Sequence, residues 1–141
     1  MVIFLNGTTS SGKTSLSKAL QNASSEFLLH VSVDNFLSQI SEKDMGNQAL
    51  MAEAFPNIVK GFHASAAATA RAGNKLVVDY VLQDQVWLED CVNAFKGLDV
   101  LFVGVHCPLE ILEQREKERG DRHVAERVFS SIASMPMINM T

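Results

Sequence analysis

The sequence predicts an α/β fold, a three-layer α/β/α sandwich around a mostly parallel sheet. Three observations point there. Four short apolar runs, at residues 2–5, 27–33, 75–80 and 100–107, alternate with longer stretches of helical spacing, the sequence form of βα units. Runs that are apolar on consecutive residues, such as Leu76-Val77-Val78 and Val100-Leu101-Phe102-Val103, suit strands covered on both faces. At 141 residues the chain has room for one core and not for two, so residues 1–141 are expected to form one domain.

The first run, with Ile3, Phe4, Leu5 and Asn6 at its end, leads into GTTSSGKT, and helical spacing then continues through Leu16, Ala19 and Leu20. Val31-Ser32-Val33 closes the second run just before Asp34. The segment 41–56 is interrupted by Gly46 and Pro56 and reads as an irregular cover over a substrate site. Ala66, Ala67, Ala70 and Ala72 form the end of a helix that stops at Gly73, a residue suited to the left-handed turn beyond a helix. After Asp84, the residues Leu88, Cys91, Val92 and Phe95 fall on one helical face as a core stripe. Pro108 follows the last run and is well placed as a first helical residue, with Leu109, Glu110 and Leu112 continuing the turn.

Composition excludes several classes. With 47% hydrophobic and 20% charged residues the chain is ordinary for a globular protein, and no stretch approaches the roughly 20 apolar residues of a membrane span. No basic segment with a small-residue cleavage site precedes the first run, so a cytoplasmic protein is expected. A net charge of −4 argues against nucleic-acid binding, which needs a basic face. Cys91 and Cys107 lack metal or redox spacing and read as buried thiols. His30, His63, His106 and His123 show no metal-ligand pairing.

Residues 7–14 fit G-x-x-x-x-G-K-[ST] through Gly7, Gly12, Lys13 and Thr14. Glycines at that spacing let successive backbone N–H groups turn inward around phosphate oxygens, and the new helix adds its positive end. Thr8, Thr9, Ser10, Ser11 and Ser15 complete the candidate nucleotide-binding set. Lys13 would reach the β- and γ-phosphates and the Thr14 hydroxyl would hold Mg²⁺. Asp34 has two readings, a helix N-cap or a carboxylate at the ligand-binding edge that deprotonates an attacking hydroxyl. Asp79, after Leu76-Val77-Val78, is a candidate for Mg²⁺ or its waters. Arg115, Arg119 and Arg122 lie in EQREKERGDR, either as a solvated face paired with Glu113, Glu116 and Glu118 or as cations that close over the phosphates.

Those residues together resemble a known family. IFLNGTTSSGKTSLSKALQ at the start, VDNFL around Asp34, ARAGNKLVVDYVL around Asp79 and LDVLFVGVHCPLEILEQREKERGDR near the end are similar to the chloramphenicol phosphotransferase-like proteins, small P-loop kinases related to shikimate and nucleoside-monophosphate kinases. The resemblance implies transfer of the ATP γ-phosphate to a hydroxyl of a small acceptor, a chloramphenicol-like antibiotic or related alcohol. It implies Asp34 as the base, and Lys13, Arg119 and Arg122, with Arg115 behind them, on the phosphates. Thr14 and Asp79 would serve Mg²⁺. The family continues into a further strand and helix, whereas this chain ends in SSIASMPMINMT. A sheet without that edge strand is expected, and an open edge favours a homodimer. The alternative is a nucleotide-binding module of the same fold without transfer activity. A GTP-hydrolysing switch is disfavoured by the lack of an N-K-x-D motif.

Overall fold

The computed structural model describes residues 1–118. Four parallel strands, β1 (Val2–Asn6), β2 (Leu28–Ser32), β3 (Lys75–Tyr80) and β4 (Val100–Gly104), lie in the order β2-β3-β1-β4. Six helices connect or follow them: α1 (Lys13–Ala23), α2 (Val33–Leu37), α3 (Glu42–Met45), α4 (Gln48–Arg71), α5 (Gln85–Ala94) and α6 (Leu109–Glu118). β1 and β3 are central among the described strands, so their carboxyl ends, Asn6 and Tyr80, come side by side in register. The residues on which the expectation of a missing edge strand rests lie outside the described ones.

Side chains alternate across the sheet, and the two faces receive different layers. Val2, Phe4, Leu76, Val78 and Tyr80 meet Phe55, Val59, Phe62, Ala66 and Ala67 of α4 and Cys91 of α5. Phe4 is central there, edge-on to Tyr80 and to Phe95 with ring centres 6.4 and 5.9 Å away. The opposite face carries Leu5, Val77 and Asp79 and is covered by α1, which packs on β2 and β3.

Segment 41–56 is not an irregular cover. It forms α3 and the first nine residues of α4, and Pro56 lies inside a helix of 24 residues. The helix tolerates proline because Met51, Phe55, Val59, Phe62 and His63 keep a continuous buried stripe, while Pro56 and Ala52, whose carbonyl loses its N–H partner, face solvent. Asn47 supplies the start signal, its Oδ1 accepting from the Leu50 N–H at 3.1 Å.

Other boundaries shift for local reasons. β2 is shorter than its apolar run, leaving Phe27 78% exposed. Ser32, not Asp34, caps α2, its hydroxyl accepting from the Asp34 N–H. β4 ends at Gly104, so Cys107 is half-exposed in the following turn, whereas Cys91 is fully buried as expected. Leu101 and Phe102 are exposed rather than covered on both faces, because β1 is the sole described neighbour of β4. Val92 also faces solvent beside the buried Cys91. Pro108 stands one residue ahead of α6, its carbonyl accepting from the Leu112 N–H.

Candidate nucleotide and phosphate site

The turn from β1 into α1 is shaped by two glycines with different duties. A Cβ on Gly7 would sit 2.4 Å from the Val105 carbonyl oxygen, because the chain leaving β4 crosses here and its Val105 N–H donates to Asn6 O at 2.7 Å. Gly12 has more room but a φ of 98°, and Ser10 adopts 63°, so the loop doubles back through left-handed backbone that favours glycine.

α1 begins in an unusual way for this chain. The starts of α2, α3, α4 and α5 are each capped by a side chain, from Ser32, Ser41, Asn47 and Asp84. α1 has Gly12 at that position, no side-chain cap and no acidic residue in its first turn. A helix start without an internal acceptor is suited to an external anion. Lys13, only 7% exposed, donates from Nζ to the carbonyls of Gly7 at 2.8 Å and Thr8 at 2.7 Å, so a buried cation lies along the loop.

Thr14 and Asp79 come together, as the Thr14 hydroxyl donates to Asp79 Oδ2 at 2.8 Å. Asp79 is 5% exposed and sits in register between Leu5 of β1 and Ser32 of β2. An oxygen pair of this kind, one hydroxyl and one carboxylate, matches the hard-donor chemistry of a small divalent cation. Asp34 is exposed on α2, two residues beyond the strand position that pairs with Asp79. Arg115 on α6 reaches back across the loop, donating from Nη1 to Ser10 O at 2.9 Å, with Cys107 Sγ at 3.8 Å. Thr8 and Thr9 are half-buried, Ser10 and Ser11 buried, and Ser15 exposed on the first turn of α1. Arg119 and Arg122 lie outside the described residues.

Three neighbours were not singled out by the sequence pattern. Asn6 Oδ1 accepts from the Leu82 N–H at 2.9 Å, pinning the segment after β3 against the start of the loop. Gln83 is buried in that segment. His30 on β2 places Nε2 3.4 Å from Asp79 Oδ2. Their signal was a polar residue interrupting or ending an apolar run. Among the described residues five buried side-chain polar atoms lack a partner, and Thr9 Oγ1, Ser11 Oγ and Gln83 Oε1 are three of them. Such atoms are costly when left unpaired, and a polar guest in the loop would satisfy them.

A family model described as "Chloramphenicol phosphotransferase-like protein" matches residues 1–134. The chain belongs to this family. Two Mycobacterium tuberculosis proteins, from strains CDC 1551 / Oshkosh and H37Rv, each named "Putative O-phosphotransferase", are 29% identical over 144 residues, covering 86% of this chain and 64% of theirs. The chain thus spans about 64% of the length of these curated relatives. A sugar kinase from Janibacter sp. superposes with a TM-score of 0.65 at 19% identity, over 99% of this chain and 79% of that one. The Deinococcus radiodurans tunicamycin resistance protein gives 0.67 at 16% identity, over 94% and 77%. The Mycobacterium tuberculosis APS kinase, solved with AMPPNP and APS, gives 0.57 at 18%, over 93% and 94%. For this chloramphenicol phosphotransferase-like chain, these likenesses establish the P-loop kinase fold. Among the described residues no helix is long and apolar enough to cross a membrane.

Proposed function

We propose that this chain moves the γ-phosphoryl group of ATP to a hydroxyl of a small organic acceptor, a chloramphenicol-like antibiotic or related alcohol, with residues 1–141 working as one kinase unit. Family membership and kinase-fold neighbours support a phosphotransferase. The observation that carries the finer reading is the Thr14–Asp79 hydrogen bond, which ties the last residue of the loop motif to a buried carboxylate on the adjacent strand end. A loop that only turned the chain would need neither partner.

The residues divide the work. The loop from Gly7 to Gly12, with Ser15 on the first helical turn, wraps the nucleotide phosphates through its backbone and hydroxyls. Lys13 exchanges the Gly7 and Thr8 carbonyls for β- and γ-phosphate oxygens, a shift from neutral to charged acceptors that strengthens its hydrogen bonds. Thr14 and Asp79 fit Mg²⁺ as oxygen donors, and the bound ion would neutralise charge on the phosphate oxygens. Asp34 takes the proton of the attacking hydroxyl as the acceptor oxygen bonds to the γ-phosphorus and the bond to the β-phosphate oxygen breaks, releasing ADP. Arg115, already docked at Ser10 O, together with Arg119 and Arg122, neutralises the transferring group.

The test is ADP formation by the purified protein with Mg·ATP and a panel of aryl and sugar alcohols. Acceptor-dependent turnover that disappears in Lys13→Ala and Asp34→Asn is expected. ATP binding without acceptor-dependent turnover, unaltered by Asp34→Asn, would instead select the nucleotide-binding module.

A further inference from the structure

We infer that His30 is a positioning residue for Asp79, holding the carboxylate in the orientation a nucleotide-bound Mg²⁺ needs. This inference rests on the proposed Mg·ATP site. In the parallel pairing of β2 with β3, His30 stands opposite Val77 and Ser32 opposite Asp79. His30 and Asp79 therefore share the face covered by α1, and the imidazole reaches diagonally along the sheet to place Nε2 3.4 Å from Asp79 Oδ2. Its side chain is 19% exposed and that of Asp79 is 7% exposed, so the contact is largely shielded from water. A carboxylate oxygen only accepts, so Nε2 carries the proton in this contact.

Among the described residues, both hydrogen bonds to Asp79 end on the same oxygen, Oδ2, from Thr14 on one side and His30 on the other. Two donors from different elements fix the plane of the carboxylate and leave Oδ1 as the oxygen for the ion or one of its waters. The two donors differ in their other duties. In the proposed site the Thr14 oxygen also serves the ion, whereas His30 has no such second task. The imidazole thus keeps Asp79 in place whether or not nucleotide is bound, the work of an outer partner that orients a metal ligand.

The experiment measures ATP affinity by calorimetry twice, in MgCl₂ and in EDTA, for the whole chain and for His30→Leu, His30→Gln and Thr14→Val, with a thermal melt of each. Wild type is expected to bind more tightly with Mg²⁺. In His30→Leu the Mg²⁺-dependent gain falls about tenfold, the lower end for loss of an outer partner, while affinity in EDTA and the melting temperature stay at wild-type values. His30→Gln, whose amide N–H₂ replaces the donor at similar reach, restores the gain. An undiminished gain in His30→Leu overturns the inference and leaves the Mg·ATP site standing. So does an equal loss in Leu and Gln variants, or a parallel loss of affinity in EDTA, since His30 would then act through shape or fold. If wild type shows no Mg²⁺-dependent gain and Thr14→Val changes nothing, the metal site itself is refuted and the inference falls with it.

Discussion

The two faces of the sheet are covered by helices of different character. On one, α4 and α5 bury Phe55, Phe62, Ala67 and Cys91 against Phe4, Val78 and Tyr80. On the other, the buried residues of α1 are Lys13 and Ser17, while Leu16 remains 36% exposed. Ser17 even turns its hydroxyl back to Lys13 O. Of the helical spacing through Leu16, Ala19 and Leu20, only Leu20 is half-buried, and α1 is tied to the sheet by polar contacts at both ends, Thr14 to Asp79 and Gln21 Nε2 to Leu28 O. One face is closed mainly by apolar helix residues, whereas the other covers Leu5 and Val77 with a helix whose own buried residues are polar, placing a cation and uncapped helix N–H groups beside the strand ends.

That contrast can be broken most forcefully at Phe62. Its ring is fully buried, 5.6 Å from Phe36 and 5.3 Å from Tyr80 between ring centres. Phe62→Ala should destabilise the fold by about 3–5 kcal/mol, read from urea unfolding, and a loss below about 1 kcal/mol would show that this layer is not the stabilising one. Lys13→Ala probes the other face. Loss of a charged hydrogen-bond donor to phosphate costs about 1.5–3 kcal/mol, about 10- to 150-fold in ATP affinity, with a much smaller change in unfolding midpoint than Phe62→Ala. Equal ATP binding by wild type and variant would remove the phosphate role from the α1 face.

How much of this was legible in the sequence follows the same division. The loop could be read because its requirements are local, a close approach at Gly7 and positive φ at Gly12. Asp79 could be singled out because it is a lone carboxylate directly after Leu76-Val77-Val78, although β3 runs one residue further, to Tyr80. His30 showed only as a polar residue interrupting an apolar run, and its contact with Asp79 could not be read, since it depends on the register between β2 and β3, which no local spacing encodes. Pro56 misled for a related reason, because a proline breaks a helix only where the lost hydrogen bond cannot be replaced, and that depends on which side faces water. Asp34 was ambiguous until Ser32 proved to be the cap. The cap reading of Asp34 is thereby set aside, because the Ser32 hydroxyl is the side-chain acceptor at that helix start.

Asn47 sharpens the comparison of helix starts. Its side chain caps α4, and Asn47→Ala should cost about 1 kcal/mol in urea unfolding with no change in ATP affinity. The corresponding position of α1 is Gly12, where the proposed ligand takes the place of a side chain. If Asn47→Ala weakened ATP binding as strongly as Lys13→Ala, the assignment of α4 to the stabilising layer alone would be wrong.

The smallest expected effect comes from His63, at the heart of the stabilising face. Its ring is fully buried against Phe62 and Tyr80, and Nδ1 lies 2.7 Å from Asp90 Oδ2. Nε2 has no partner among the described residues. Burial lowers the His63 pKa, and the Asp90 carboxylate opposes that shift without cancelling it. The unfolded chain therefore takes up this proton near the ordinary histidine value of about 6.5, whereas the folded chain takes it up only at lower pH. The contribution of His63 to stability is fully present above about pH 6.5 and declines as pH falls through that value toward the folded pKa. Unfolding free energies measured from pH 7.5 down to pH 5 should fall more steeply for wild type than for His63→Gln, which cannot titrate. Identical slopes would mean that the buried ring gains a proton as readily as an unfolded one, with a donor at Nε2 accommodated after all. The same measurement on ATP affinity should show no His63-dependent difference, because the group lies on the face that holds the fold together and not on the face proposed to meet the nucleotide.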